Sequence, residues 1–432
     1  MKSDKFAMSV STFTRIGTGL VIFVLLARYL GPGPFGVFAA AMVYATLLGL
    51  VADYGLGTYA LCEAGAHQGR GATIVMQALM VKLITTGLVT LGGLVALAVV
   101  APVHDTVIVI VAVYIGLMAT SFADLCFVTV RAVGRYDVEA RTVVATSIVS
   151  VAAIAWVTVA SDSIAAAALC FMVTRLFYLA TSWIVLRPFL AIAAVWPVRR
   201  ADLLRIMRQA SPYAIDGLLV NLSNQIDVVM VSLLLSHVEI GLYQAGAKLL
   251  QGVAPVSAIL AMVYLPKLAE AHQSGDLGRR NQLAAKLNLE FVGLATIGFF
   301  GFMVFGPLWT IHVYGPEFSP LIPLWPGLSC FILFRFTASA YGIELTALGE
   351  MRYRIGTYIL VIGAVVIGSL IALPRYGVAA APWILAGSGL ILLLVYGFIS
   401  ARYMGSRRIV AYSLAWSLLL LASALLFAAE RG

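Results

Sequence analysis

Apolar runs of about 20 residues, the length of helix that crosses a bilayer's hydrocarbon core, recur along the whole chain. They fall at 10–30, 35–58, 75–100, 107–130, 142–160 and 164–186. After a basic linker they resume at 210–235, 241–265, 287–309, 320–348, 355–373 and 377–400, and a last run covers 409–428. Barrel strands are shorter and alternate apolar with polar positions; these runs do neither. The pattern predicts an all-α integral membrane protein with 12 transmembrane helices, or 13 if the last run crosses. Composition agrees: 62% of the 432 residues are hydrophobic and 11% charged, against about 25% charged in soluble domains.

The first two runs form a hairpin around Ala27-Arg28-Tyr29-Leu30-Gly31-Pro32-Gly33-Pro34-Phe35-Gly36, a tight Gly/Pro turn. The longest polar connection, 187–209, divides the chain into an N-terminal six-helix lobe (1–186) and a C-terminal six-helix lobe (210–400), with an extra helix in 401–432. Within the connection, residues 201–208 place Leu203, Leu204, Ile206 and Met207 largely opposite Asp202, Arg205 and Arg208. Such a segment suits a short helix on the membrane surface, and equally an ordinary linker. A shift of 205 positions aligns Phe35-Gly36-Val37-Phe38 with Ile240-Gly241-Leu242-Tyr243, Ala66-His67-Gln68 with Ala271-His272-Gln273, and Gln77 with Gln282. Six helices per half return the chain to its starting side. The expectation is therefore a pair of parallel, pseudo-symmetric repeats.

Charge orients the chain. With the N-terminus cytoplasmic, 20 Lys and Arg residues fall in cytoplasmic segments and 3 in outer ones. This is the bias that sets membrane topology. It accounts for most of the net charge of +9 through anionic membrane lipids, without nucleic acid as a partner. The Met1-Lys2-Ser3-Asp4-Lys5 start resembles a signal peptide's charged region, but no small-residue cleavage site follows, so the first run reads as an uncleaved helix.

Eleven charges lie inside the runs: Arg15, Lys82, Arg175, Lys248, Arg335, Asp53, Asp124, Asp216, Asp227, Glu290 and Glu344. Each would cost about 2.5–3.5 kcal/mol at mid-membrane on insertion scales. They are expected to face one another or a water-filled cavity. Guanidinium forks hold phosphate oxygens in pairs, so Arg15, Arg28, Arg175, Lys248 and Arg335 are candidates for an anionic headgroup. Asp53, Asp124, Asp216, Asp227 and Glu344 are candidates for coupling to H⁺ or Na⁺. Asn221, Ser223, Asn224, Gln225 and Asp227 occupy about two turns of the seventh helix and either line a cavity or pack polar groups against a neighbour. Structural roles stand beside these. Arg28 can extend to the interface, Lys82 can anchor the third helix, Asp53 can cap or pair, and Lys248 can form an ion pair with Asp227.

No catalytic constellation is visible. The five histidines lie in loops or at helix ends without metal-ligand spacing, and no phosphate-binding loop with its lysine is present. Four dispersed cysteines, Cys62, Cys126, Cys170 and Cys330, imply neither disulfide nor metal. The chain is not expected to be an enzyme or to carry a cofactor.

At this point the chain resembles the polysaccharide, or Wzx-type, flippases of the multidrug/oligosaccharidyl-lipid/polysaccharide exporter (MOP) superfamily. The likeness rests on Ala27-Arg28-Tyr29-Leu30-Gly31-Pro32, Phe35-Gly36 and Asp53-Tyr54-Gly55-Leu56, then Gln225-Ile226-Asp227, Gly241-Leu242-Tyr243 and Leu265-Pro266-Lys267-Leu268. The resemblance implies two lobes around a central cavity in the bacterial inner membrane. It implies cation-coupled alternating access that moves an undecaprenyl-pyrophosphate-linked oligosaccharide to the outer leaflet, with glycan polymerase or export proteins as further partners. By position, Arg15 and Arg28 match first-helix arginines of such flippases. A MATE-like multidrug exporter and a non-transporting scaffold of a glycan-synthesis complex stay open as alternatives.

Overall fold

The computed structural model describes residues 2–66, 71–100, 104–189, 200–404 and 407–431. Among them the chain is helical throughout, with no strand, and 12 stretches are long and apolar enough to cross a membrane. One of these, Arg352–Tyr403, runs for 52 residues and contains two helices, enough for two crossings at about 20 residues each. Cα packing divides the chain into two units, Met1–Asn221 and Leu222–Gly432.

The first unit contains α1 (Lys2–Leu30), α2 (Pro32–Asp53), α3 (Leu56–Ala66), α4 (Gly71–Val100), α5 (His104–Ala132), α6 (Tyr136–Ala160), α7 (Ile164–Leu186) and the beginning of α8 (Arg200–Leu234). Gly31 takes φ 74°, a left-handed value that suits glycine. Pro32 then opens α2, where its missing N–H costs nothing. These two residues make the turn that the hairpin motif announced. α5 is the central helix, packed on α2, α3, α4 and α7, while α1 packs on α6. Edge-on rings join α1, α2 and α7: Phe23 to Phe35 and Phe38 to Phe171 both have centroids 5.6 Å apart.

The second unit contains the end of α8, then α9 (His237–Gln273), α10 (Leu277–Trp309), α11 (Trp325–Ala347), α12 (Met351–Tyr376), α13 (Ala381–Met404) and α14 (Arg407–Arg431). A wide turn at Thr310–Tyr314 and a Pro-rich 3₁₀ segment, Pro316–Leu324, lead into α11. α11 is the core of this unit, flanked by α9, α10, α13 and α14. Its first residue, Trp325, is fully buried, donates to Thr310 Oγ1 at 2.9 Å, and stacks on Phe302. Large apolar side chains point outward instead, such as Trp156 at 75%, Leu289 at 75% and Phe398 at 70% exposure. That is the surface a lipid-solvated bundle presents. α14 is fastened to the unit by Tyr341–Ser413 (2.6 Å) and Trp416–Thr296 (2.9 Å) hydrogen bonds.

Two expectations are corrected. The second apolar run does not continue to residue 58: α2 ends at Asp53, Tyr54 and Gly55 take φ 46° and 68°, and α3 starts afresh at Leu56. Apolar patterning cannot register such a break. The 201–208 segment is not a separate surface helix but the first turns of the single helix α8, which carries Pro212 inside it. Leu203, Ile206 and Met207 pack against the core of the first unit, with Ile206 2% exposed, while Leu204 faces outward at 67%. Protein takes the place expected of lipid. Residues 190–199 of the linker and His67 and Gln68 of the repeat lie outside the described residues. The repeat register does coincide with helix starts: α2 begins at Pro32 and α9 at His237, 205 positions later.

Gly55 is the tightest point of the break. A Cβ there would lie 2.5 Å from the Ala214 nitrogen and 2.7 Å from the Tyr213 carbonyl carbon of α8. Gly55→Ala should therefore destabilise the protein by at least about 1–2 kcal/mol from the left-handed backbone alone, with α8 displaced as well. Gly217→Ala, in open helical surroundings, should be neutral or stabilising by up to about 1 kcal/mol. Thermal unfolding of the two variants in detergent checks the contrast.

Candidate functional site: an ion network and an arginine cavity

In the first unit, four helices bring charge to one place. Arg15 of α1 donates to Asp124 of α5 and, at 3.1 Å, to Glu139 of α6. Arg131 of α5 grips Glu139 with a two-pronged fork at 2.7 and 2.8 Å. Ser11 donates to the same carboxylate at 3.1 Å, and the Tyr178 hydroxyl of α7 donates to Asp124 at 3.1 Å. The Arg15 guanidinium also lies over the Tyr178 and Phe127 rings at 5.6 and 5.9 Å. Close by on α7, Arg175 lies over Phe171 at 4.9 Å, within electrostatic reach of Tyr178, Asp124 and Arg15. Among the described residues no carboxylate forms an ion pair with Arg175. Three guanidiniums thus face two carboxylates.

A second buried ion pair lies at the helix break. Lys82 of α4 is 1% exposed and meets Asp53 at 2.5 Å, with the Ser121 hydroxyl and carbonyl of α5 at 2.7 and 3.0 Å. Three oxygens satisfy the three ammonium protons. Asp53 is the last residue of α2, just before the left-handed Tyr54. The pair therefore holds the end of α2 to α4 and α5.

In the second unit, Asp227, Glu344 and Glu290 accept from neutral donors. Asp227 of α8 accepts from Tyr243 of α9 at 2.5 Å, where an ion pair with Lys248 was an expectation. Glu344 of α11 is fully buried and accepts from Asn288 of α10 at 2.5 Å and from Ser400 of α13. Glu290 accepts from Tyr264 at 2.7 Å. Arg335 of α11 donates to Asn224 of α8 at 2.8 Å. It also lines a cavity of about 300 Å³, together with Arg354, Tyr358 and Tyr396.

A family model described as polysaccharide biosynthesis protein matches residues 2–272. The chain belongs to the polysaccharide biosynthesis protein family. No curated protein sequence matches it. The solved structures it resembles include a lipid II flippase, MurJ, in an inward closed conformation, at 14% identity and TM-score 0.72, covering 98% of this chain and 97% of that one. An inward-facing multidrug resistance MATE family transporter of the MOP superfamily follows at 12% identity and TM-score 0.68, with 98% of both chains covered. A eukaryotic MATE transporter, AtDTX14, matches at 12% identity and TM-score 0.61 over 95% and 96% of the two chains. The chain shares the fold of these solved structures.

Of the residues singled out from the sequence, the structure brings Arg15, Asp124 and Arg175 together. Arg28 is exposed in the last turn of α1, 13 residues or about 20 Å of helix beyond Arg15. Asp53 belongs with Lys82. Lys248 is half-buried on α9, and Gln225 half-buried on α8. Asn221 donates to the Gly217 carbonyl of its own helix. The Asp216 side chain lies outside the described residues. Sequence reasoning missed Glu139, which is 4% exposed and grips two arginines. As an acid in the first turn of α6, it has the look of an ordinary helix-end residue. The only hint was its neighbour Arg131, read as cytoplasmic.

Glu139→Gln should leave Arg15 and Arg131 short of their shared counter-charge. Removing one partner of a buried pair costs about 3–5 kcal/mol; the arginines are each 25% exposed, so about 2–3 kcal/mol is expected. Denaturant or thermal unfolding of the purified protein measures it, and a combined Glu139→Gln, Arg131→Gln variant should recover part of the loss.

Proposed function

We propose that this protein is a flippase that carries a polyprenyl-pyrophosphate-linked oligosaccharide from the inner to the outer leaflet of the bacterial inner membrane. The observation that carries this reading is the excess of guanidinium at the α1/α5/α6/α7 site, with Arg175 left for a counter-charge from outside the chain. A pyrophosphate supplies that charge, and an arginine fork suits its oxygens. Membership of the polysaccharide biosynthesis protein family supports a glycan as the cargo. The named lipid II flippase among the structural neighbours supports a lipid carrier.

The mechanism we infer is alternating access: the bound headgroup is exposed to one side of the membrane and then the other, while the lipid tail stays in hydrocarbon. Asp124 and Glu139 hold Arg15 and Arg131 until the anionic headgroup competes for them. The driving force would be an H⁺ or Na⁺ gradient, with Asp53, Asp124, Asp216, Asp227 and Glu344 as its candidate carriers. Glu344 is the strongest of them, because it is fully buried and its two donors are neutral. No bond is made or broken, so no catalytic group is required.

A multidrug exporter is the second reading, supported by the MATE neighbours. An exporter of organic cations needs an acidic cavity. The first-unit site has the opposite balance.

Proteoliposomes carrying a fluorescent polyprenyl-pyrophosphate oligosaccharide test the assignment, with and without imposed H⁺ or Na⁺ gradients. Headgroup movement that responds to one gradient is the expected result. Transport of a cationic dye in its place would move the assignment to the drug exporter. Arg175→Ala should lower flipping at least about tenfold, the loss of one charge-assisted contact of about 1.5–3 kcal/mol, while membrane insertion and elution profile stay unchanged.

A further inference from the structure

The cavity of the second unit has chemistry that the flippase reading does not yet use. Its volume is about 300 Å³, or about ten water volumes at 30 Å³ each. Its walls come from α9, α11, α12 and α13. Among the described residues two arginines line it, Arg335 and Arg354, and no Asp or Glu does.

The polar groups are arranged along its length. Arg335 and Thr346 lie on α11, 11 residues or about 16 Å apart. Arg354 and Tyr358 sit one turn apart on α12, on the same face. Arg354 donates to Thr346 Oγ1 at 2.9 Å and to the Tyr358 hydroxyl at 3.3 Å. Tyr358 is within electrostatic reach of both guanidiniums. The Tyr396 hydroxyl of α13 lies beside Arg354 and Tyr358, and its side chain is 3% exposed. Guanidiniums and hydroxyls sharing one cavity favour a bound anion.

We propose that Arg335, Arg354, Tyr358 and Tyr396 form an anion-binding site for a pyrophosphate group. One phosphate meets Arg335 and the other meets Arg354, while the two tyrosine hydroxyls donate to the oxygens between them. Inorganic phosphate fills only one end. The site deepens the flippase reading by giving the second unit its own grip on the headgroup, and it rests on that reading only for where the anion comes from.

Direct binding tests it without transport, so its failure and the failure of the flippase reading are distinguishable. Full-length protein in detergent is titrated calorimetrically with inorganic pyrophosphate. Saturable binding is expected, at least about tenfold tighter than for inorganic phosphate. Arg335→Gln and Arg354→Gln should each weaken it about tenfold or more, the loss of one charge-assisted contact. Arg335→Lys and Tyr396→Phe, which preserve packing, should weaken it about threefold, one neutral hydrogen bond's worth. Arg375→Gln, at the exposed far end of α12, should change nothing. In nanodiscs, displacement of pyrophosphate by a polyprenyl diphosphate lipid would identify a lipid headgroup as the natural occupant. Retention would identify a soluble diphosphate; either supports the site. No pyrophosphate binding by the unaltered protein, or equal affinity in Arg335→Lys, Tyr396→Phe and unaltered protein, overturns it.

Discussion

A charge buried among apolar helices must be balanced within the protein or by a bound ligand, because hydrocarbon offers nothing to solvate it. This constraint organises the first unit. Glu139 takes two arginines and a serine, Asp124 takes Arg15 and Tyr178, and Lys82 is surrounded by three oxygens. The contacts join α1, α4, α5, α6 and α7 to one another more specifically than apolar packing does, since oily faces can slide where a bidentate fork cannot. In the second unit, Asp227, Glu290 and Glu344 meet the same constraint with neutral donors. Among the described residues no acid lines the cavity that Arg335 and Arg354 share.

That contrast bears on how such a protein could work. Ion networks hold one arrangement of helices tightly, yet each can be rewired by a competing anion. The Asp53–Lys82 pair sits at the point where α2 stops and α3 turns away, and Gly55 there touches the backbone of α8. Tyr59 of α3 also donates to Gln209 of α8 at 2.9 Å. The ion pair and the contacts with α8 thus meet at one joint in the chain.

The spans were legible because a membrane-crossing helix must be apolar over a fixed length, and that length is written contiguously. The Gly31-Pro32 turn was legible for a similar reason, since it depends on two adjacent residues. Arg15, Asp124 and Arg175 could be picked out as charges in apolar runs. Their association could not, because they lie on α1, α5 and α7 and meet only after folding. Glu139 was hidden by a different cause: near a helix start, a buried acid and a solvated one have the same sequence context. Arg354 and Arg131 were hidden likewise, as basic residues next to loops.

By itself the sequence determined the solvent this protein lives in, the order of its membrane-length apolar segments, and which charges would be costly unless accommodated. These follow from composition and from contiguous periodicity, which local physics reads directly. The tertiary structure decided the break at Tyr54–Gly55, the continuity of α8, the partner of each charge, and the placing of Arg335 and Arg354 on one cavity. Those depend on side chains dozens or hundreds of positions apart coming within 3 Å, a distance that no local pattern encodes.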